Sequence, residues 1–283
     1  MSITIHRYHG LENDYLVYDN NRNPMSLTRD MVMKLCDRHK GIGADGILEG
    51  PFVEGDRIRL RIWNPDGSIE ANSGNGVRIF ARYLKDMEYT TSEQFVIETD
   101  TGSTEIELLN QEGSRVRVSM GKVSFLSQDI PVPGENRLVI NEDMVLGQTL
   151  YPVNCVSIGN PHCVILLHKL SEEAVTLIGE KAHLSKLLPD HINTTILKVH
   201  DREHLTIETY ESGVGYVQSS GTGACAAAAV AYRLGMTSNQ MNVTMPGGQL
   251  EIEVTKDFEV HMTGSVVYIG RVELSEEFVA SFM

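Results

Sequence analysis

Residues 71–78 read "ANSGNGVR" and residues 218–225 read "QSSGTGAC". In each, a serine (Ser73, Ser220) stands directly before a Gly-x-Gly turn, and each turn opens an apolar, helix-like run. Serine and glycine commonly start helices, so either stretch alone reads as a capped helix. A glycine-rich turn at a helix N-terminus also presents backbone N–H groups that, with the helix dipole, form an anion site. The second stretch lacks the Gly-Lys-Ser/Thr ending of a phosphate loop. Their pairing is what carries information.

The two serines are 147 residues apart, and the same offset works elsewhere. "DRIRLRIWN" (56–64) falls on "EHLTIETYE" (203–211), and both alternate with period two, as a half-buried strand does. Each ends in an aromatic and a polar residue, Trp63-Asn64 and Tyr210-Glu211, followed by a turn, "PDGS" or "SGVG". Ser73 follows Asn64 by nine residues, and Ser220 follows Glu211 by nine. Near the N-terminus "HGLENDYLVY" falls on "SIGNPHCVIL" within one position, with Asn13 on Asn160. Coincidence among short turn motifs is the competing account. Two homologous halves explain all three landmarks, and a pseudo-twofold arrangement would present both serine-headed loops to one cleft.

Strand-like runs dominate and helix-like runs are few: "LTRDMVMKLCDRH", "VRIFARYLKDM", "SEEAVTLIGEKAHLSK" and "ACAAAAVAYRLGM". The fold class expected is α+β in two pseudo-symmetric halves, with the crossing in the stretch after "VRVSMGKV" through "DIPVPGENR". The 283 residues allow one large or two modest domains, and 41% hydrophobic with 22% charged residues suits a globular core. A net charge of −14 argues against general nucleic-acid binding. No run is long enough for a membrane helix, and "MSITIHRYHGLENDY" does not read as a signal peptide, so a cytoplasmic protein is expected. Cys36, Cys155, Cys163 and Cys225 include no Cys-x-x-Cys pair. Cys155, His162 and Cys163 fit no common zinc spacing, so buried thiols are favoured and no metal is expected.

Removing a proton from one face of a carbon and returning one to the other needs two acid/base groups. It also needs stabilisation of developing carboxylate charge, which helix N-termini supply. Two serine-headed helix starts suit that reaction: racemisation or epimerisation. No Schiff-base lysine motif for pyridoxal phosphate is evident, so no cofactor is expected.

At these residues the chain resembles the diaminopimelate epimerase family of cofactor-independent amino-acid racemases and epimerases. "GLENDYLVYD" resembles the family's Gly-Asn-Asp-Phe segment, and "RHKGIGADGIL" its Arg-x-x-Gly-Ile-Gly-x-Asp segment. "WNPDGSIEANSGNGVRIFARYL" resembles Asn-x-Asp-Gly-Ser…Cys-Gly-Asn-Gly-x-Arg, and "SIGNPHCVI" Gly-Asn-Pro-His. "YESGVGYVQSSGTGACAAAAV" resembles Tyr-Glu-Arg-Gly-x-Gly…Cys-Gly-Ser/Thr-Gly-Ala-Cys-Ala. Proline racemases and phenazine-type isomerases, which carry Gly-His where this chain has Gly74-Asn75, are the runners-up.

The resemblance implies two halves, each a β-barrel-like sheet around a central helix: residues 1–121 with a returning strand at 268–283, and residues 122–267. It places the active site in the cleft between them and implies a homodimer. Asn13, Asn64, Asn160 and Asn193 match substrate-contacting asparagines. Gly74, Asn75, Gly221 and Thr222 match the loops holding the α-carboxylate and amino group, and His162 and Glu211 match polar residues beside the reacting centre.

Two departures matter. The family uses a catalytic cysteine pair at the positions of Ser73 and Ser220. A thiol has a pKa near about 8.5 and is lowered at a helix N-terminus, whereas a hydroxyl yields little anion at neutral pH. The chain is therefore expected to be a nearly inactive Cys→Ser form. The intact remainder of the site favours a deliberate double substitution; a natural serine-using or binding-only relative is the alternative. Ser212 stands where the epimerase pattern has an arginine for the distal carboxylate, and serine cannot replace that bidentate contact. The expected substrate is then another amino acid, histidine being the best single guess. The alternatives are a diaminopimelate epimerase of lysine and peptidoglycan-precursor synthesis, with another basic residue reaching the pocket, and a non-catalytic amino-acid binder.

Overall fold

Alternation of apolar and polar side chains makes strands the commonest regular element of this chain. In the computed structural model the described residues are 3–55, 57–70, 73–100 and 102–282. Asp56 of the aligned strand and Ala71 and Asn72 of the first quoted loop lie outside them. Contacts divide the chain into two units, Met1–Val118 with Gly264–Met283, and Ser119–Thr263.

The first unit contains β1 (Thr4–Gly10), β2 (Asn13–Tyr18), α1 (Arg29–Cys36), β3 (Gly46–Glu54), β4 (Arg57–Trp63) and β5 (Ile69–Glu70). There follow α2 (Gly74–Asp86), β6 (Gln94–Thr99), β7 (Gly102–Leu108) and β8 (Arg115–Lys122), in which the chain passes to the second unit. That unit contains β9 (Glu142–Leu146), β10 (Thr149–Ser157), β11 (Pro161–Leu166), α3 (Glu172–His183), β12 (Asn193–Val199), β13 (His204–Glu211) and β14 (Gly215–Val217). It is completed by α4 (Gly221–Arg233), β15 (Gln240–Met245), β16 (Gly248–Val254) and β17 (Glu259–Ser265), where the chain returns. β18 (Val267–Glu273) and α5 (Glu276–Ala280) belong to the first unit.

The two units share one strand order. In the first it runs β18-β1-β2-β3-β4-β6-β7-β8, with β5 beside β4. In the second it runs β9-β10-β11-β12-β13-β15-β16-β17, with β14 beside β13. The parallel pairs fall at equivalent places, β2/β3 with β11/β12 and β4/β6 with β13/β15. Parallel neighbours need a crossover connection, and α1, α2, α3 and α4 lie in those four crossovers. The fold is thus α+β in two pseudo-symmetric halves. Among the described residues the two sheets differ in the strand that pairs with the first hairpin: β9 precedes its hairpin, whereas β18 comes from the far end of the chain.

Each sheet wraps a central helix. α2 packs against β1, β2, β3, β4 and β7, and α4 against β10–β13, β15 and β16. Helices enclosed in this way must be apolar on nearly every face: Val77, Ile79, Phe80, Ala81, Tyr83 and Leu84 are buried on α2, and every residue from Ala224 to Ala231 is buried on α4. α1 and α3 cover the outer faces over separate apolar clusters, with Met31, Val32 and Leu35 in one and Val175, Ile178 and Ala182 in the other. Gly179 lets α3 approach its sheet; a Cβ there would lie 2.4 Å from Tyr210 Cγ.

Several element boundaries differ from the sequence pattern. α1 is shorter than "LTRDMVMKLCDRH" because the Asp37 carboxylate accepts from His39 N and Lys40 N and turns the chain. "VHMTGSVVYIGRVEL", which reads as one strand, is two, interrupted at Val266, whose N–H bonds Ser114 O. α5 is an additional short helix capped by Ser275.

Candidate active site

Ser73 and Ser220 are N-caps of the two central helices, and their backbones nearly superimpose: φ −136°, ψ 112° for Ser73 and φ −132°, ψ 110° for Ser220. Each Oγ accepts from the N–H three residues on, Gly76 or Gly223, at 3.1 Å. The second glycine of each motif makes room for this, since a Cβ on Gly76 would lie 3.2 Å from Ser73 Cβ and one on Gly223 2.9 Å from Ser220 Oγ. The glycines are therefore inside the helices: α2 starts at Gly74 and α4 at Gly221. Neither helix has an acidic residue in its first turn, whereas α1, α3 and α5 all do. Acidic side chains there normally complement the helix dipole. At α2 and α4 no acidic residue of the helix's own first turn does so, and the earliest N–H groups have no acceptor within the helix.

In the first unit an amide chain runs from the opening strands into α2. Asn13 Nδ2 donates to Asp45 Oδ2 (3.0 Å), Asn75 Nδ2 donates to Asn13 Oδ1 (3.1 Å), and buried Arg78 donates to Asn75 Oδ1 (2.7 Å). Arg38 bridges Asp14 and Asp45 at 2.7 Å each, and Arg7 also pairs with Asp14. Burial works against the Asp14 charge, but the hydrogen bonds from Arg38 and Arg7 outweigh it and hold the carboxyl below its usual range. Asn64 closes its own turn, its Nδ2 donating to Ser68 Oγ at 3.0 Å. The Tyr15 phenol lies 3.1 Å from Ser73 Oγ.

In the second unit the serine meets a carboxylate. Ser220 Oγ donates to Glu211 Oε1 at 2.6 Å. Burial pushes the Glu211 carboxyl up, and the bond from Ser220 offsets part of that shift. Asn160 Oδ1 lies 3.0 Å from His162 Nε2, so Nε2 carries the ring proton and Nδ1 is a bare acceptor. That Nδ1 is buried without a partner, and burial pushes the imidazole down to about 3. Asn193 lies opposite His162 in the β11/β12 register, and its Oδ1 accepts from Ser212 N at 3.0 Å. Ser212 Oγ and Ser219 Oγ are also buried without hydrogen-bond partners. Gly221 is buried and Thr222 half-buried in the first turn of α4.

The residues singled out in the sequence thus gather by hydrogen bond into Asn13 with Asn75, Asn160 with His162, Asn193 with Ser212, and Glu211 with Ser220. Tyr15, Glu70, Arg78 and the Arg38–Asp14–Asp45 group were not among them. Tyr15 had a signal available: the 147-residue offset carries it onto His162. Among the described residues no group of three His, Cys, Asp or Glu side chains could hold a metal ion. Among them, too, no helix is long and apolar enough to cross a membrane. Cys155 and Cys163 face each other across β10/β11, both buried.

A family model described as diaminopimelate epimerase matches residues 5–126 and 154–269, spanning both serine-capped helices. The chain belongs to the diaminopimelate epimerase family. It is 43% identical over 276 residues to "Diaminopimelate epimerase 2" of Nostoc sp., covering 97% of this chain and 96% of that relative. It is 34% identical over 285 residues to the diaminopimelate epimerase of Halothermothrix orenii, covering 98% and 100%. A solved structure of a probable proline racemase from Agrobacterium radiobacter resembles it with a TM-score of 0.68 at 14% identity, over 97% of this chain and 93% of that one. At that identity the likeness concerns the fold. The diaminopimelate epimerase family is one of isomerases, and its fold is shared with that probable proline racemase.

Proposed function

We propose that this member of the diaminopimelate epimerase family belongs to a two-base reaction at the α-carbon of an amino acid, with positions 73 and 220 as the acid/base pair. The observation that carries this reading is the pair of matched serine caps on helices whose first turns lack acidic residues. Each supplies a side-chain atom at the head of an anion-accepting helix start. Asn13, Asn64, Asn160 and Asn193 are then substrate contacts, with Gly74, Asn75, Gly221 and Thr222 around the α-carboxylate and amino group. His162 and Ser212 line the same site in a supporting role.

With serine at both positions the chain is nearly inactive. A hydroxyl offers far less anion than a thiol at neutral pH, and each pKa unit costs about tenfold in the available base. The substrate is an amino acid without a distal carboxylate, such as histidine. Ser212 supports this, because its buried, unpartnered Oγ suits a neutral polar group and cannot form the two-pronged contact of an arginine. A second reading is diaminopimelate itself, favoured by the 43% identity to a protein of that name.

One experiment separates the readings. The Ser73→Cys/Ser220→Cys protein is incubated in heavy water with L-histidine, a panel of other L-amino acids, and diaminopimelate. Deuterium incorporation and chirality are then followed. Exchange with racemisation of an amino acid lacking a second carboxylate supports the first reading, and turnover confined to diaminopimelate supports the second. Absence of exchange with every substrate overturns both in favour of a binding protein.

A further inference from the structure

Cys155 and Cys163 stand directly opposite each other across the β10/β11 hairpin of the second unit, and both are 0% exposed. The hydrogen bonding shows which kind of pair they form. Cys155 N donates to Val139 O and Ser157 N to Ser124 O, so these N–H groups of β10 point away from β11. Opposite Ser157 stands Pro161, which has no N–H to give. Cys155 and Cys163 are therefore a non-hydrogen-bonded pair. Such pairs bring antiparallel Cα atoms to about 4.5 Å, inside the range of about 4.4–6.8 Å that a disulfide spans. Both side chains belong to one apolar cluster with Val139, Val153, Ile165 and Val175. The two thiols are close enough to share a hydrogen bond.

The fold does not require this pair. The corresponding hairpin of the first unit, β1/β2, has no cysteine. Cys36 sits in the first unit's outer cluster and Cys225 in the central helix α4. Two thiols face to face offer chemistry that two small apolar side chains would not. Their cover also differs from the rest of the core. Residues 123–141 contribute Ile130, Val132 and Val139 to the cluster, yet form only isolated bridges at Ser124/Ser157 and Leu126/Leu138. An irregular cover opens locally at lower cost than a central strand or helix.

We infer that Cys155 and Cys163 form a dithiol–disulfide site that takes a hydroperoxide as its oxidant and, once oxidised, clamps the hairpin carrying Asn160 and His162. The hydrogen bond to Cys163, together with burial, pushes the Cys155 thiol up. Cys155 therefore keeps its proton and Cys163 is the sulfur that attacks. An S–O bond forms at Cys163 as the peroxide O–O bond breaks, and the leaving oxygen departs as water. The Cys155 sulfur, losing its proton, then attacks the Cys163 sulfenic acid. The S–S bond forms, the S–O bond breaks, and a second water leaves. The thiols give up two protons and two electrons, and the peroxide is reduced to two waters. The closed ring contains Asn160 and His162. The site forms whether or not positions 73 and 220 act as a two-base pair.

The folded, reduced protein is exposed to hydrogen peroxide, and its thiols are then counted in denaturant. The count is expected to fall from four to two, with Cys36 and Cys225 still free. The intact mass falls by two hydrogen atoms, a peptide map links Cys155 to Cys163, and dithiothreitol restores all four thiols. In Cys155→Ala, shown to be folded by circular dichroism, dimedone traps a sulfenic acid at Cys163. Amide hydrogen exchange over residues 154–164 slows several-fold in the oxidised protein and recovers on reduction. Four thiols persisting at a peroxide dose that oxidises free cysteine, or a linkage that includes Cys36 or Cys225, overturns the site. Unchanged exchange in the linked hairpin overturns the clamp. None of these readouts uses turnover, so failure of the two-base reading would show separately, in the racemisation assay.

Discussion

Acid should unfold the second unit through His162, and the size of the effect follows from where that ring sits. His162 lies on β11, is 0% exposed, and has no carboxylate bonded to either ring nitrogen. Burial alone lowers its folded-state pKa, to about 3. In the unfolded chain a histidine titrates near about 6.5. The unfolded state therefore takes up a proton that the folded state refuses. The stability contribution is fully present above pH about 6.5 and is lost as pH falls toward about 3, with a slope near 1.36 kcal/mol per pH unit. The full loss is on the order of 4–5 kcal/mol, a large fraction of an ordinary domain's stability. Urea unfolding of the parent and of His162→Gln, followed by circular dichroism between pH about 7.5 and about 4.5, isolates this term. The glutamine variant is expected to be less stable at neutral pH through lost packing, yet to decline less steeply in acid by about one proton's slope. Carboxylate contributions are common to both proteins and cancel. Parallel stability–pH curves for the two proteins, or an NMR signal showing the His162 ring protonated at pH about 5, would refute the reasoning.

Two further predictions concern packing and capping. Ser220→Ala removes an N-cap, at about 0.5–2 kcal/mol, and strips Glu211 of its 2.6 Å donor; burial already raises that carboxyl, so the loss in thermal stability should be larger at neutral pH than in acid, where Glu211 is protonated in both states. Gly179→Ala should destabilise by about 1–3 kcal/mol through overpacking, because the new Cβ meets Tyr210 Cγ at 2.4 Å; the gain of up to about 1 kcal/mol expected at an unhindered helical glycine, seen as a raised Tm, would contradict the packing described for α3.

Much of the site could be read from the sequence because it is built from local rules. A serine three residues ahead of the second glycine of a Gly-x-Gly turn gives a cap whose side chain accepts from that glycine's N–H, so Ser73 and Ser220 declared themselves. The pairing of Ser220 with Glu211 spans nine residues and lies within one strand–turn–helix unit. Tyr15 did not declare itself as Ser73's partner, because the two are 58 residues apart in sequence. Its placement depends on β2 lying beside β3 and on Gly46 leaving room for the ring. The Asn13–Asn75–Arg78 chain was half visible: the residues stand out as motif members, but their order of bonding depends on packing.

By itself the sequence determined the period-two strands, the 147-residue repeat, the two serine-headed helix starts and the α+β class, since each depends on neighbours within a few turns of chain or on self-similarity. The returning strand was expected from the family resemblance; the tertiary structure decided that it pairs with β1 and that the chain re-enters the first unit at Gly264. It alone gave the two matched serines unlike partners, a phenol and a carboxylate. The physical reason is that strand pairing and side-chain hydrogen bonds between distant residues are selected by burial and register, and which distant partner each residue meets leaves no periodic mark on the sequence.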